Sequence, residues 1–241
     1  MNPDFPLTYE QARRDGDRMR GTPVTLQRPV LVFSGYHAWK QLPETLAASL
    51  RRLTGAPKEL FVPVSYARAS TFEHAAQVAL SKFAHLAGGS DAESPEVDVV
   101  AVSMGGLLSR YMASPMWNGR RLRINRLMTL STPHRGARLA GIVALDPAAK
   151  AMKPGSEFLA TLDEHLPRRS YELSCFCRLR DWWVGAGNTA PPGMLPMWLP
   201  TPAHSFGHMT VSMDQRIIVE VARRLRGEEP FAKVGQAPPH D

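Results

Sequence analysis

A single serine stands between a strand-like and a helix-like stretch of the sequence. In "VDVVAVSMGGLLSRYMA", residues 97–113, the first half is β-branched and apolar, and the second half carries apolar residues at helical spacing. Ser103 and the two glycines beyond it leave no room for an ordinary loop, so the chain must turn sharply there. Such a turn, a nucleophile elbow, exposes a hydroxyl at a helix N-terminus, where developing negative charge is favoured. Ser103 is therefore the candidate nucleophile, and the Met104 amide is a candidate oxyanion donor.

A serine hydroxyl needs a general base, and the base needs an acid that orients it. In a strand–elbow–helix architecture the acid and then the base follow the nucleophile along the chain. Asp181 ends the strand-like stretch "CFCRLRD", and His208 precedes the last amphipathic segment. These two residues are the predicted acid and base. The alternatives left open are His204 for the base and Asp98, Asp146 or Asp163 for the acid.

The loop "VFSGYHAW" follows an earlier strand-like run and supplies the second predicted oxyanion donor. Gly35 allows close approach of the backbone, and the amide of Tyr36 is the candidate donor. The candidate substrate-binding side chains are His37, Trp39 and Trp182. Packing of the Trp39 ring beneath its own helix is the alternative to a role in substrate binding.

Strand-like and amphipathic segments alternate along the chain, which predicts an α/β domain with a mainly parallel sheet. The strand-like runs are "PVLVFSG", "ELFVPVSY", the first half of residues 97–113, "INRLMTLS" and "YELSCFCRLR". A helix is predicted from near Trp39 to Gly55. Two capping boxes are predicted to begin further helices: Ser70 with Glu73, and Ser212 with Gln215. The stretch "NTAPPGMLPMWLPTP" predicts a long Pro-rich loop.

Three boundaries are predicted along the chain. Residues 29–227 form the domain, residues 1–28 are an N-terminal extension, and residues 228–241 are a disordered tail. Within the domain, residues 136–169 break the alternation because prolines and glycines separate short apolar groups. This region is predicted to be a cap of two or three short helices inserted above the sheet.

Composition and missing motifs argue against a nucleic-acid-binding, metal-binding or cofactor-dependent protein. The 241 residues are 44% hydrophobic and 21% charged, with a formal net charge of +7, which is ordinary for a globular domain. The basic run "GRRLRINR", residues 119–126, is interpreted as a solvated connection because no nucleic-acid motif accompanies it, so no nucleic-acid partner is predicted. The sequence also has no metal-ligand cluster and no phosphate-binding loop, and no cofactor or metal ion is expected.

The location is predicted to be cytoplasmic. The N-terminus has no apolar core of signal-peptide length, and no stretch approaches the ~20 apolar residues of a membrane span. Cys175 and Cys177 are too close in sequence for an unstrained bridge, so both are predicted to be free thiols in a reducing compartment. Peripheral contact with an anionic membrane surface stays open, and the sequence does not define an oligomeric state.

Several of these stretches resemble the α/β-hydrolase superfamily, particularly its bacterial triacylglycerol lipase and acyl-esterase branch. The elbow is similar to the family's Gly-His-Ser-Met-Gly-Gly, and "LMTLSTPHRGARLA", residues 127–140, is similar to its segment with Thr-Pro-His-x-Gly. The resemblance implies an α/β-hydrolase fold with helices on both faces of a mostly parallel sheet and a small helical cap. It implies the same site residues as the spacing does: Ser103, Asp181 and His208 as a triad, with Tyr36 and Met104 as oxyanion amides.

The sequence departs from the family pattern at three places. Ala101 replaces the first elbow glycine, Val102 stands where histidine is common, and Ser34-Gly35 replaces the His-Gly of the oxyanion loop. The triad itself is unaffected. The predicted function is serine-dependent hydrolysis of a small-molecule carboxylic ester through an acyl-enzyme. The alternatives are a thioesterase, an acyltransferase, and a non-catalytic hydrolase-like binding protein.

Overall fold

A sheet of parallel strands forms the centre of the protein. The computed structural model describes residues 2–86, 94–202, 205–233 and 236–239. Its strands are β1 Val30–Phe33, β2 Phe61–Val64, β3 Val97–Val102, β4 Ile124–Leu130, β5 Glu172–Arg178 and β6 Met197–Leu199. Their spatial order is β2-β1-β3-β4-β5-β6, with every pairing parallel. The predicted α/β fold is confirmed, and the carboxyl ends of all six strands lie at one edge.

Helices cover both faces of the sheet. They are α1 Tyr9–Gly21, α2 Gln41–Thr54, α3 Phe72–Phe83, α4 Met104–Ala113, α5 Arg138–Ile142, α6 Pro147–Ala151, α7 Glu157–His165, α8 Gly207–Thr210 and α9 Gln215–Arg226. The short helices α5, α6 and α7 lie within the residues predicted to form the cap. Within the described ranges, no helix combines the length and apolar character needed to cross a membrane.

A hydrophobic core lies on each face of the sheet, because successive side chains of a strand point to opposite faces. Leu31, Val99 and Leu127 pack on the face that includes α3, α4 and the cap helices. Val32 and Val100 pack on the opposite face with α1, α2 and α9. Burial on both faces explains why the central strands read as continuous apolar runs.

The strand order reverses between β1 and β3. The chain passes from β1 through α2 to β2 at one side, and then returns through α3 to β3 on the other side of β1. Loops that leave the carboxyl ends of two such neighbouring strands diverge and open a crevice between them. The loop after β1 and the turn after β3 therefore border the same crevice.

Two helix starts differ from the predicted capping boxes. The first turn of α3 is capped by the Thr71 hydroxyl and not by Ser70, whose carbonyl instead accepts from Ala148 of the cap at 2.8 Å. The first turn of α9 is capped by the Asp214 carboxylate, because Ser212 belongs to a separate 3-10 turn. The predicted end of α2 is confirmed, with Gly55 in the left-handed region at φ 69°.

Strand β6 lies inside the stretch that was predicted to be a loop. Its three residues pair with the end of β5, where Cys177 lies opposite Trp198. The prediction missed this strand because three residues between prolines give no alternation to detect. The two cysteines of β5 are buried and free, as predicted.

Residues outside the predicted domain boundaries pack on the α1, α2 and α9 face. Phe5 and Met19 of the N-terminal extension are fully buried there. In the predicted tail, Ala232 is buried in the same core, and the Phe231 amide donates to the buried Glu220 carboxylate at 2.9 Å. Residues 228–233 thus lie against α9, and Gln236 O accepts from Trp198 Nε1 at 3.3 Å. The predicted disorder of residues 234–235 and 240–241 lies outside the described residues.

His134 is fully buried beside α4. Arg110 Nη1 lies 3.1 Å from His134 Nδ1, and Thr129 Oγ1 lies 3.1 Å from His134 Nε2. Because the guanidinium can only donate, Nδ1 accepts and the proton of the neutral ring is on Nε2. Burial, reinforced by the charges of Arg110 and Arg135, holds the pKa of His134 well below its ordinary value.

The buried neutral His134 should make the protein less stable in mild acid. The unfolded chain takes up a proton at this residue as the pH falls below about 6.5, while the folded protein does not. The free energy of unfolding should therefore fall on acidification, with a limiting slope of about 1.4 kcal/mol per pH unit from this group. Urea unfolding at pH 7.5 and 5.5 measures the loss. A His134→Gln variant should lose less between these pH values, and an equal loss in both proteins would contradict the assignment.

Candidate active site

Ser103 occupies the sharp turn between β3 and α4. Its φ of 52° and ψ of −125° lie in a sparsely populated region for a residue with a side chain, and such strain costs on the order of 1–3 kcal/mol. Two contacts from the β4 side hold the turn: the Ser103 amide donates to Leu130 O at 2.8 Å, and Thr132 Oγ1 donates to Ser103 O at 2.7 Å. The structure thus places Ser103 in a braced, strained elbow at the N-terminus of α4.

The two glycines after the elbow are required by close packing. A Cβ at Gly105 would lie 2.6 Å from Ser34 O of the loop after β1, and a Cβ at Gly106 would collide with the Thr132 side chain. The start of α4 is therefore enclosed between the loops that follow β1 and β4. Thr132, which contacts both the elbow carbonyl and this glycine, is a positioning residue that the sequence analysis did not single out.

The loop that carries the predicted Tyr36 amide passes against Ser103, and the Met104 amide directly follows it in the chain. A Cβ at Gly35 would lie 3.3 Å from the Ser103 Cβ, so the loop after β1 passes directly against the elbow. Met104 is the first residue of α4, and its amide has no partner within the helix. Among the described residues, neither the Met104 nor the Tyr36 amide has an acceptor. Two donors are thus unsatisfied next to the candidate nucleophile.

Two departures from the family pattern have different structural outcomes. Val102 is buried in the core on the α2 and α9 face, so it serves packing. Ser34 lies in the oxyanion loop, and its buried Oγ has no hydrogen-bond partner within the described part of the chain. The Ser34 carbonyl accepts from the Tyr66 hydroxyl, and its amide donates to Val64 O at 3.0 Å. The Ser34 side chain therefore adds no hydrogen bond that would hold the loop.

His208 and Asp181 form a hydrogen-bonded pair at the carboxyl edge of the sheet. His208 Nδ1 lies 3.0 Å from Asp181 Oδ2, and the other carboxylate oxygen accepts from the Val184 amide at 3.0 Å. The Asp181 side chain is fully buried, and that of His208 is 11% exposed. Since an ionised carboxylate only accepts, Nδ1 donates and Nε2 keeps its lone pair for a proton.

Gly207 brings His208 close to the acid. A Cβ on Gly207 would lie 2.5 Å from Leu179 O, and the Gly207 amide donates to Arg180 O at 3.2 Å. The loop before α8 can therefore lie on the backbone that leads into Asp181. Among the described residues, no hydrogen bond joins His208 to Ser103, a contact that often forms only once substrate is bound.

The other candidate acids have different partners. Asp98 pairs with Arg126 at 2.7 Å, and Asp163 pairs with Arg110 at 2.7 Å. Asp146 contacts Tyr36 at 2.9 Å and His37 at 3.2 Å. Within the described ranges, no group of three or more His, Cys, Asp or Glu side chains is placed to hold a metal ion. The alternative base His204 lies outside the described residues. Of the candidate acids, Asp181 is the one that contacts His208.

The predicted substrate-binding side chains lie around the same edge. Trp39 is 81% exposed, so its ring does not pack beneath its helix. Trp182 is also exposed and makes an edge-on contact with Phe206. Trp183, rather than Trp182, lies beside His208, with 5.1 Å between the ring centroids. His37 is held by contacts with Ala67 O and Asp146.

Exposed apolar side chains are concentrated around this edge. They follow the carboxyl ends of β1, β4, β5 and β6, and we call them the apolar rim: Trp39, Leu139, Ile142, Val143, Leu145, Trp182, Trp183, Phe206 and Met209. Exposed apolar side chains that lie close together often mark a binding surface. The segments that carry the rim leave the same edge of the sheet as the Ser103 turn and the segment with His208.

The order of the parallel strands, the elbow after β3, and an acid and a histidine after β5 together define the α/β-hydrolase fold. No protein-family model and no curated protein matches the sequence. Solved structures do match it across most of its length.

Three of these structures are enzymes by name. The lipase BlEst2 of Bacillus licheniformis, in its propeptide form, is 13% identical with a TM-score of 0.64, over 90% of this chain and 54% of that one. Phospholipase PlaB of Legionella pneumophila, in complex with thio-NAD, is 13% identical with a TM-score of 0.60, over 83% and 59%. The metagenomic carboxyl esterase MGS0156 is 14% identical with a TM-score of 0.55, over 84% and 76%. The likeness shows a common fold, and the chain spans less than two thirds of the first two proteins.

Proposed function

We propose that the protein hydrolyses carboxylic esters through an acyl-enzyme on Ser103. The observation that carries the proposal is the 3.0 Å hydrogen bond between His208 and the buried Asp181, at the sheet edge that also carries the strained Ser103 elbow. Solved structures named as a lipase, a phospholipase and a carboxyl esterase share this fold, which supports ester hydrolysis as the chemistry.

The proposed reaction uses each residue in one role. His208 Nε2 takes the proton of Ser103 Oγ as the oxygen attacks the ester carbonyl, and Asp181 stabilises the imidazolium that forms. The amides of Met104 and Tyr36 donate to the developing oxyanion, and loss of one such donor typically costs about 10²–10³ in rate. His208 then gives its proton to the departing alkoxide. In the second half, His208 takes a proton from water, which attacks the acyl-enzyme carbonyl, and His208 then returns that proton to Ser103 Oγ as the Ser103–acyl bond breaks and the acid leaves.

The apolar rim favours an ester with an apolar acyl chain. Three tryptophans and several aliphatic side chains surround the edge where the carbonyl would bind, and they can cover a chain that leaves the site. Each CH₂ group buried from water contributes about 0.8 kcal/mol. The same surface fits peripheral contact with a lipid layer. A cytoplasmic location stays part of the proposal, since the two free cysteines fit a reducing compartment.

Labelling and chain-length kinetics on the unaltered protein test this function. A fluorophosphonate should attach once per chain, and mass spectrometry should locate the phosphonyl group on Ser103. With p-nitrophenyl esters of increasing length, kcat/KM should rise by up to about fourfold per added CH₂ until the rim is filled. Folded protein that neither labels nor hydrolyses these esters would refute the proposal. Activity restricted to the shortest esters would refute the role of the rim while leaving an esterase.

A further inference from the structure

Asp146 is a carboxylate of the cap that the proposed reaction does not use. It precedes α6, and its Oδ1 accepts from the Ala149 amide at 2.8 Å as the N-cap of that helix. Its Oδ2 accepts from the Tyr36 hydroxyl at 2.9 Å and lies 3.2 Å from His37 Nε2. One carboxylate thus joins the cap to the oxyanion loop, although the partners are more than 100 residues apart in sequence.

The contacts of His37 show how firmly the loop is held. His37 Nδ1 lies 2.6 Å from Ala67 O, and because a carbonyl only accepts, this nitrogen carries a proton. Nε2 lies 3.2 Å from Asp146 Oδ2, so the ring bridges the Ala67 backbone and the cap carboxylate. The His37 backbone has φ 47°, an uncommon conformation that persists only where surrounding contacts impose it.

The pKa shifts of Asp146 and Tyr36 agree with the hydrogen bond between them. Burial would raise the pKa of Asp146, but hydrogen bonds from the Ala149 amide, Tyr36 and His37 outweigh burial and lower it below its ordinary value. Burial and the hydrogen bond to Asp146 raise the pKa of Tyr36 to about 12. The carboxylate is therefore ionised and the phenol is a donor at neutral pH.

The oxyanion loop is anchored on both sides of Tyr36. Before it, the Ser34 backbone binds Val64 O and the Tyr66 hydroxyl, and after it, His37 Nδ1 contacts Ala67 O. The Ser34 hydroxyl contributes no hydrogen bond within the described residues, and the bond from the Ala38 amide to Gly35 O, at 3.3 Å, is local to the loop. Asp146 is the contact that the side chains of Tyr36 and His37 share, and it ties this part of the loop to the cap.

We infer that Asp146 is a positioning residue, whose carboxylate holds Tyr36 and His37 so that the Tyr36 amide points at the oxyanion. This inference rests on the proposed function. It makes the cap part of the oxyanion hole, because α6 must be docked for its N-cap carboxylate to reach the loop. The docked position is held by the buried Ala148, whose amide donates to Ser70 O at 2.8 Å.

Substitutions can separate this role from simple capping of α6. Asp146→Asn keeps the shape and an oxygen for the Ala149 amide, and asparagine is as good an N-cap as aspartate. Its NH₂ group can donate to the Tyr36 hydroxyl, which also accepts, so this variant removes the charge but can keep the contact and should have the smaller effect. Asp146→Ser keeps an N-cap but cannot reach the loop. Tyr36→Phe removes one partner and leaves the proposed oxyanion amide in the chain.

The expected effect is on kcat. Displacing one oxyanion donor without removing it should lower kcat about 10- to 100-fold in Asp146→Ser, with KM changed less than about threefold. The Tyr36→Phe and Asp146→Ser effects should not multiply in the double variant, because the two residues act through one contact. The matched control is Thr161→Ala, which removes a hydroxyl of α7 that bonds only to Glu157 O of the same helix, and it should keep the unaltered kcat.

A second measurement does not depend on activity. Hydrogen exchange of the peptide covering residues 34–40 should speed up in Asp146→Ser and stay unchanged in Thr161→Ala. Unchanged exchange and unchanged kcat in Asp146→Ser, or an equal kcat loss in Thr161→Ala, would overturn the inference. If the unaltered protein neither labels nor hydrolyses esters, the proposed function fails, while exchange of residues 34–40 still decides whether Asp146 holds the loop.

Discussion

The Ser103→Ala variant should lose at least about 10⁴-fold in kcat for ester hydrolysis and all labelling by a fluorophosphonate. The loss is large because the covalent route needs the hydroxyl oxygen, and no other group takes its place at the elbow. The fold should be retained, since the Ser103 side chain makes no capping hydrogen bond to α4. Ester-hydrolysis assays measure the loss of kcat, and intact-protein mass spectrometry measures the loss of labelling. The Tm checks that the variant is folded.

Two further variants at this helix sharpen the result. Ser109→Ala removes another buried hydroxyl of α4, which donates to Gly105 O at 2.8 Å, and should keep activity. Ser103→Gly should be inactive but at least as stable as Ser103→Ala, because glycine adopts φ 52° without a steric penalty. Hydrolysis or labelling that survives in folded Ser103→Ala would show that Ser103 is not the nucleophile.

The Asp181→Asn variant should lose about 10⁴-fold in kcat with its fold intact. The Val184 amide donates to Asp181 Oδ1, so an asparagine there would keep its carbonyl oxygen on that amide. Its NH₂ group would then face His208 Nδ1 and force the imidazole proton onto Nε2. The nitrogen that must accept the Ser103 proton would already carry one. The rate of fluorophosphonate labelling should fall in parallel with kcat.

The alternative candidates provide the controls for Asp181 and His208. Asp163→Asn breaks the ion pair with Arg110 and should lower the free energy of unfolding, while kcat of the folded protein stays within about threefold. His204→Gln should keep activity, whereas His208→Gln should lose it. A kcat loss in Asp163→Asn as large as that of Asp181→Asn would contradict the assignment of the acid.

Local sequence signals predicted the elbow well. A β-branched run, one serine and two glycines determine a strand, a sharp turn and a helix within a few residues, and β3, Ser103 and α4 follow this order. The five principal strands were recognised because burial on both faces gives each of them a continuous apolar run in the sequence. β6 was missed since three residues beside prolines carry no such pattern.

Contacts across long separations were harder to predict. Asp181 was preferred to Asp146 and Asp163 because it ends a strand-like stretch, but its contact with His208 depends on the fold. The hydrogen bond between Asp146 and Tyr36 joins residues 110 apart. It depends on how the cap docks, which no local pattern determines. The predicted capping residues of α3 and α9 were wrong, because several adjacent polar residues could each cap the helix.

The braced elbow also links activity to the order of folding events. Ser103 can keep its unfavourable backbone only while Leu130 O and Thr132 of the β4 side hold it and Gly35 lies against it. These contacts require β1, β3 and β4 to be aligned in parallel, which are non-local pairings that form slowly. A nascent or partly refolded chain should therefore lack the Ser103 conformation that the proposed reaction needs. The proposed hydrolysis is expected only from molecules whose central sheet is complete.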